Sequence, residues 1–245
     1  KRKDPKPEPT DAGKWSPEDG WILIFTRQYL LDRFFGDDGY TPEEGWDVWP
    51  EPYADESRNP GGDSDDPERC DDGPGSNIHG NLIYLPRERF RPGPQGCRAT
   101  GFIGRYDSPQ DLEDGTRTAW KKDCEQGQVT PPGYWELPKG QRARGHLGGC
   151  QFGGSGTDLR NLVPLYAKAN SPVMRDIETA IAKEIKKGQR VVYAVTPLYR
   201  NGQAVPDYIH IQAEGDKGME VNCYVANVIT KTDPICSDRR YRVDG

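Results

Sequence analysis

The residue best suited to catalysis is His146, which follows Arg144-Gly145 and precedes a loop rich in glycine. An imidazole titrates close to neutral pH and is the commonest general base in enzymes. The guanidinium of Arg144 could bind a phosphate, because its planar set of donors matches the phosphate oxygens. The two residues therefore predict a base and a phosphate-binding group side by side at the end of a strand.

The other two histidines are expected to lie at the surface. His79 occurs in a polar turn, and His210 alternates with Tyr208 and Gln212 in a way that is typical of the solvent-facing side of a strand. Neither is predicted to have a chemical role.

Oxygen donors follow His146 along the chain, at Asn161, Asn170 and Glu178. If a helix begins at or just before Asn170, then Asn170, Met174 and Glu178 share one helical face. Amide and carboxylate oxygens, together with water, suit a hard divalent cation such as Mg²⁺. We therefore expect a magnesium-type site where this helix begins.

The helix that would position these donors is the clearest element in the sequence. It is predicted to begin at Ser171-Pro172, because serine is a favoured N-cap and proline is favoured in the first helical turn. Gly188 is expected to end it after two lysines. Its apolar face consists of residues four apart, namely Val173, Ile177, Ile181 and Ile185.

Short apolar segments bounded by glycine, proline or aspartate predict strands around the helix. The pair on either side of Asn201-Gly202 is expected to form a hairpin. The fold class is therefore α+β, an antiparallel sheet with one long helix that follows a glycine-rich loop. The predicted strands are 81–85, 98–106, 190–199, 208–212 and 219–228.

Charge divides the chain into two regions. The 245 residues carry a net charge of −6, which by itself argues against a partner rich in phosphate. Residues 1–80 carry a net charge of −11, however, and residues 81–245 carry +5. We predict an acidic, irregular N-terminal extension over 1–76 with a short helix within 21–35, followed by a single domain over 77–245 that is compatible with nucleic acid.

Cysteine usage points to an exported protein. The six cysteines form no Cys-x-x-Cys pair and have no histidine at zinc-ligand spacing, so disulfides are the better interpretation. Sequence leaves their pairing open, although Cys223 and Cys236 are close enough to pair locally. The chain begins at Lys1 and is expected to be a fragment of a larger or processed secreted protein. The disulfide candidates are Cys70, Cys97, Cys124, Cys150, Cys223 and Cys236.

No apolar run reaches the roughly 18 residues that a membrane-spanning helix needs. We therefore expect no membrane insertion.

The spacing of these residues resembles that of the DNA/RNA non-specific endonuclease family, the ββα-metal or His-Me finger nucleases. The resemblance is carried by Arg144-Gly145-His146, by the asparagine 24 residues after His146 and by the glutamate 8 residues further on. It is strongest to the C-terminal nuclease domains of bacterial secreted polymorphic toxins, in which a Gly-Gly-Ser-Gly loop also follows the histidine. It extends over about residues 97–230 and does not include the acidic N-terminal extension.

The resemblance implies a role for each matched residue. His146 would be the general base that activates water, and Asn170 would be the single protein ligand of Mg²⁺ or of another divalent cation such as Mn²⁺. Glu178 would orient water on the metal, Arg144 would stabilise charge at the phosphate, and Asn161 would hold the loop. DNA and RNA would be the substrates, and a producing cell would need a protective immunity protein.

Two positions depart from the family pattern. The usual motif is Asp-Arg-Gly-His, and here Ala143 stands in place of the aspartate. The family also uses an upstream arginine, and both Arg98 and Arg105 are candidates.

Three functions are therefore open at this point. The first is a secreted, metal-dependent endonuclease acting as an antibacterial toxin. The second, suggested by Ala143, is a catalytically inactive nucleic-acid-binding module of the same fold. The third is a structural or carbohydrate-binding domain, suggested by Trp46, Trp49 and Trp135. The acidic segment 36–72 would be either a tether or a lid over the basic cleft.

Overall fold

A computed structural model of the chain describes residues 70, 75–76, 81–93, 96–112, 124, 129–200 and 202–236. Nearly all of the acidic N-terminal extension lies outside these residues, and so do the helix predicted within 21–35 and His79. In the described part of the chain the strands are β1 Gly75–Ser76, β2 Leu82–Tyr84, β3 Glu88–Arg89, β4 Cys97–Arg98, β5 Phe102–Tyr106, β6 Arg142–His146, β7 Leu162–Tyr166, β8 Val191–Leu198, β9 Tyr208–Gly215, β10 Glu220–Ala226 and β11 Ile235–Cys236.

The helical elements of the described residues are one long helix and several short turns. The long α-helix, α1, spans Arg175–Lys186 and follows a π-helical turn at Ala169–Met174. Short 3₁₀ turns are described at Pro109–Asp111, Tyr134–Glu136 and Cys150–Phe152. No helix among the described residues has both the length and the apolar character to cross a membrane.

Within the described residues, seven strands form one antiparallel sheet in the order β1-β2-β5-β8-β9-β10-β11. Strand β8 is buried at all of its eight positions, which is expected for a central strand covered on both faces. Two separate antiparallel hairpins, β3–β4 and β6–β7, lie outside this sheet. The α+β class and the antiparallel sheet predicted from the sequence are confirmed.

Most predicted strands are present with shifted ends, but one local prediction was wrong. The segment 98–106 is split into β4 and β5, because Gly101 between them has φ of +149° and interrupts the strand. The hairpin predicted on either side of Asn201-Gly202 is confirmed, since strands β8 and β9 pair and their connection runs from Tyr199 to Asp207.

The apolar face of α1 packs on the sheet as predicted. Its residues join one hydrophobic cluster with Tyr193, Ile209 and Ile211 of β8 and β9. Burying an aliphatic side chain of this size contributes about 1.5–3 kcal/mol. The buried residues of this face are Ile177, Ile181 and Ile185, and Val173 of the preceding π-helical turn is buried with them.

The beginning of the helix differs from the prediction. Ser171 has φ of −147° and ψ of 119°, which is extended backbone, and the regular α-helix begins only at Arg175. The ring of Pro172 disfavours the α conformation of the residue before it, which accounts for the break. Asn170 and Glu178 are therefore not successive positions on one continuous helical face.

The β6–β7 hairpin carries the histidine predicted to be catalytic. His146 pairs with Leu162, and Arg144 pairs with Pro164. Gly145 lies between them, and a Cβ there would come within 2.3 Å of Leu165 Cδ1. A side chain at position 145 would therefore clash with Leu165 of the paired strand β7.

Three disulfides use all six cysteines. They join Cys70 to Cys97, Cys124 to Cys150 and Cys223 to Cys236. The third is the local pair that the sequence favoured, and it ties β11 to β10.

Shortening Ile181 tests the packing of α1. We expect Ile181→Ala to lower the free energy of unfolding by about 2–5 kcal/mol, because this side chain has 0% exposure in the core. Urea denaturation measures the change. Thr179→Ala, on the exposed side of the same helix, should change stability by less than about 0.5 kcal/mol. Equal losses in the two variants would contradict this packing.

Candidate active site

The loop that follows His146 is held in place by the side chain of Asn161. Its Oδ1 accepts a hydrogen bond of 2.8 Å from the Gly148 N–H. Its Nδ2 donates to the carbonyl oxygens of Gly148 at 3.0 Å and Ser155 at 2.8 Å. Asn161 has 0% exposure, so one buried amide closes the loop at both ends.

Glycines let this loop fold tightly. A Cβ at Gly154 would lie 1.7 Å from the Gly148 carbonyl oxygen, and one at Gly149 would lie 2.7 Å from Oε1 of Glu178. The first distance shows that the backbone of Gly154 packs against that of Gly148, which closes the loop on itself. The second shows that the loop lies directly against the Glu178 carboxyl.

Glu178 is a buried carboxyl in the first turn of α1. Burial raises its pKa to about 8, although hydrogen bonds from the Gly149 backbone and the Tyr193 side chain oppose the shift. Tyr106 lies on the same side of the loop, where its hydroxyl donates to the Phe152 carbonyl oxygen at 2.8 Å. Burial also raises the pKa of Tyr106 well above its usual value.

His146 is half-buried at the end of β6, against a disulfide. Its Nε2 lies 3.8 Å from Sγ of Cys124, which is bonded to Cys150. The ligand atoms of these three residues lie within 4.8 Å of one another. Sulfurs joined in a disulfide offer no thiolate, so in this oxidised form the disulfide packs against the imidazole and the three residues do not form a thiolate metal site.

Arg144 is exposed and lies two residues before His146 on the same strand. Alternate residues of a strand face the same way, so the guanidinium and the imidazole lie on one face of β6. Ala143 faces the opposite side. The absence of a carboxylate at position 143 therefore removes nothing from the face that carries His146.

Asn170 is half-buried in the turn between β7 and α1. It belongs to the π-helical turn that follows β7, and Glu178 lies in the first turn of the regular helix α1. The chain thus brings an amide oxygen and a carboxyl to the beginning of α1 by way of the extended residue Ser171, and not along a single helical stripe.

The two upstream arginines have structural contacts. Arg98 is buried, donates to Glu88 Oε1 at 2.6 Å and to the Gln203 carbonyl oxygen, and stacks on Tyr199 with its guanidinium carbon 4.0 Å from the ring centre. Arg105 donates to Asp107 Oδ1 at 2.9 Å. It also lies on the face of β5 opposite to Tyr106, whose hydroxyl reaches the loop after His146.

The surface position predicted for His210 was wrong. The side chain is 2% exposed, with Nε2 at 2.7 Å from Asn222 Oδ1 and its ring stacked 4.2 Å from that of Tyr224. Burial lowers its pKa, although the bond to Asn222 opposes the shift. The polar alternation correctly indicated a strand but not that its outer side is covered.

Sequence reasoning missed the contact between His146 and the disulfide. The available signal was Cys150, four residues after His146. Its partner lies 26 residues earlier in the chain, and no local pattern marks it.

Residues 109–217 match the family model of the DNA/RNA non-specific endonucleases. This segment, 109 of the 245 residues, is similar to the domain of the DNA/RNA non-specific endonucleases. The match includes β6, the loop held by Asn161, the turn with Asn170 and all of α1. The matched segment contains Arg144, His146, Asn161, Asn170 and Glu178, whereas Arg98 and Arg105 lie before it. The reaction of this family is the hydrolysis of phosphodiester bonds.

Solved structures of nucleases are similar to the chain. NucA from Streptococcus agalactiae with a bound magnesium ion shares 20% identity with a TM-score of 0.47, over 63% of this chain and 76% of that one. The Sda1 nuclease with a bound zinc ion shares 17% identity with a TM-score of 0.43, over 60% and 76%. An extracellular endonuclease shares 23% with a TM-score of 0.37, over 56% and 66%. A comparison with curated protein sequences gave no match.

The raised pKa of Glu178 makes the stability of the metal-free endonuclease domain depend on pH. The folded carboxyl keeps its proton up to about pH 8, whereas the unfolded one loses it near 4.5. The associated stability is fully present below pH 4.5 and is lost as the pH rises toward 8, by at most about 1.4 kcal/mol per pH unit. We expect Glu178→Gln to remove this loss, as measured by urea unfolding in EDTA between pH 5 and 8.

Glu184→Gln on the same helix is the matched control, since it changes the same charge at a partly exposed position. It should keep the pH dependence of the wild type. If the free energy of unfolding changed with pH in the same way in the wild type and in Glu178→Gln, this would contradict the buried, protonated state of Glu178.

The disulfide beside His146 should be needed for cleavage more than for folding. We expect replacement of both Cys124 and Cys150 by serine to lower kcat by about 100-fold, because a displacement of the base of about 1 Å has that effect. The matched control replaces Cys223 and Cys236, which cross-link β10 and β11. Plasmid cleavage by folded samples gives the comparison, and equal activity of the two double variants would contradict the positioning role.

Proposed function

We propose that the protein is an exported endonuclease that depends on a divalent metal ion and cleaves both DNA and RNA, with His146 as the general base. The observation that carries this proposal is the position of His146 in the endonuclease domain. It lies half-buried at the end of β6, beside an exposed arginine, where Asn161 closes the following loop against Glu178.

The proton acceptor follows from the orientation of the imidazole. Nε2 faces the Cys124 sulfur, which can accept a hydrogen only weakly and has none to donate. The neutral tautomer with its hydrogen on Nε2 fits this contact, and in that tautomer Nδ1 carries the lone pair that would accept a proton from water. Arg144, on the same face of β6, would bind a non-bridging oxygen of the phosphate.

The residues at the beginning of α1 fit a hard divalent cation. Asn170 would supply an amide oxygen, and Glu178 would supply a carboxylate that orients water bound to the ion. Burial disfavours the ionised form of Glu178 in the absence of metal, so a bound cation would compensate that charge. When bound, such an ion stabilises negative charge on the phosphate and on the leaving 3′ oxygen. Mg²⁺ is our first choice, with Mn²⁺ as a substitute.

Export is supported by the three disulfides, which form and persist in oxidising compartments. A role as an antibacterial toxin, with a cognate immunity protein in the producing cell, is supported by the resemblance of the motif and its loop to polymorphic toxin domains. We further propose that 77–245 is the nuclease domain and that 1–76 is a solvated tether, because runs of like charge are usually solvated.

Cleavage assays test the proposed function. We expect supercoiled plasmid and RNA to be degraded with Mg²⁺ and to stay intact in EDTA. His146→Ala should lower the rate by about 10²–10⁴-fold while the fold is retained, since it removes the general base. Circular dichroism checks the fold, and Thr179→Ala on the outer side of α1 serves as the control.

Activity that persists both in EDTA and in His146→Ala would overturn the proposal. Salt-dependent DNA binding without cleavage under any divalent cation would instead support the inactive binding module.

A further inference from the structure

Trp135 is the most exposed large apolar side chain of the described residues. It is 71% exposed, compared with 48% for Ile229 and 43% for Ile235. It lies in the 3₁₀ turn at Tyr134–Glu136, just before the strand that carries the base. The general base and metal chemistry of the endonuclease domain do not use it.

This tryptophan is held in a fixed orientation by its neighbours. The guanidinium carbon of Arg142 lies 4.3 Å from the Trp135 ring centre and 4.8 Å from that of Tyr134. Arg142 Nη1 also donates to the Leu137 carbonyl oxygen at 3.2 Å, which anchors the guanidinium. The Tyr134 and Trp135 rings meet edge to face, 5.1 Å apart at 83°. One side of the indole therefore rests on a cation while most of its surface faces solvent.

The platform formed by Trp135 and Arg142 is aligned with the site. Arg142, Arg144 and His146 are alternate residues of β6 and share one face. At about 3.3 Å per residue, Arg142 lies roughly 13 Å from His146. That is the length of about four stacked nucleotides at 3.4 Å each, and of fewer when the strand is extended. A nucleic acid strand with its phosphate at Arg144 can thus reach the platform.

The charges around the platform suit a nucleic acid. Arg142 and Arg144 are positive and face the same side. The acidic neighbour Glu136 pairs with Arg91 at 3.4 Å, and both side chains are about half exposed, at 50% and 45%. An open aromatic ring next to guanidinium groups is the arrangement that stacks bases of single strands without reading their sequence.

We propose that Trp135 and Arg142 form a subsite that stacks an unpaired base of the substrate strand. This inference rests on the proposed function, because it takes the cleaved phosphate to lie near His146. In a duplex, neighbouring base pairs already cover the faces of each base. The subsite therefore favours single-stranded or locally unpaired DNA and RNA over intact duplex.

Binding measured without cleavage tests the subsite. Fluorescence anisotropy in EDTA would compare a labelled oligothymidine of 15 nucleotides with a labelled, blunt-ended DNA duplex that has no unpaired bases. We expect Trp135→Ala to weaken binding of the single strand by about 5- to 150-fold, the range measured for loss of one stacked base. Duplex binding should change by less than about twofold, and Trp135→Phe should restore most of the single-strand affinity. Ile229→Ala, which also removes an exposed apolar side chain, should have no effect.

Loss of affinity that is equal for single strand and duplex, or no loss at all, would overturn the proposal. Quenching of the tryptophan fluorescence by a chitin oligosaccharide but not by oligothymidine, with the quenching absent in Trp135→Ala, would also overturn it, in favour of a carbohydrate-binding surface. Because the assay contains no metal, it remains informative if the protein proves not to cleave nucleic acid. In Mg²⁺, the same variant should raise KM for single strands and leave kcat unchanged.

Discussion

The three hydrogen bonds of Asn161 are the constraint on which the rest of the site depends. They fix the loop from Gly148 to Ser155, and this loop presses Gly149 against the carboxyl of Glu178. The same loop follows His146 and contains Cys150, the partner of the cysteine that faces the imidazole. One buried amide therefore fixes the loop that connects the hairpin, the disulfide and the helix.

Glu178 is a carboxyl that the fold buries close to the proposed cation site. The helix brings the carboxyl under the loop, and packing with Tyr193 and Tyr106 removes it from water. Burying an ionised carboxyl is costly unless it is compensated, so the group holds its proton near neutral pH. The cation proposed to bind here would offset this cost, so that folding and metal binding would be coupled through this side chain.

Features of the sequence that depend on local chemistry could be predicted, and those that depend on distant contacts could not. The interval of four residues from Val173 to Ile185 gave the buried face of α1, because that periodicity is intrinsic to a helix. The break at Ser171 was missed, although the effect of Pro172 on its predecessor was available in principle. The burial of His210 and the contact of His146 with Cys124 both depend on segments far away in the chain. Alternation along one strand carries no information about them.

The bond between Cys124 and Cys150 also closes a covalent ring within the chain. Trp135, Arg142, Arg144 and His146 all belong to that ring. A single peptide bond cut by a protease inside it would open the backbone without separating the two pieces. The proposed stacking platform, the arginine proposed to bind phosphate and the proposed base would stay in one molecule, so the ring makes this part of the chain tolerant of a first proteolytic nick.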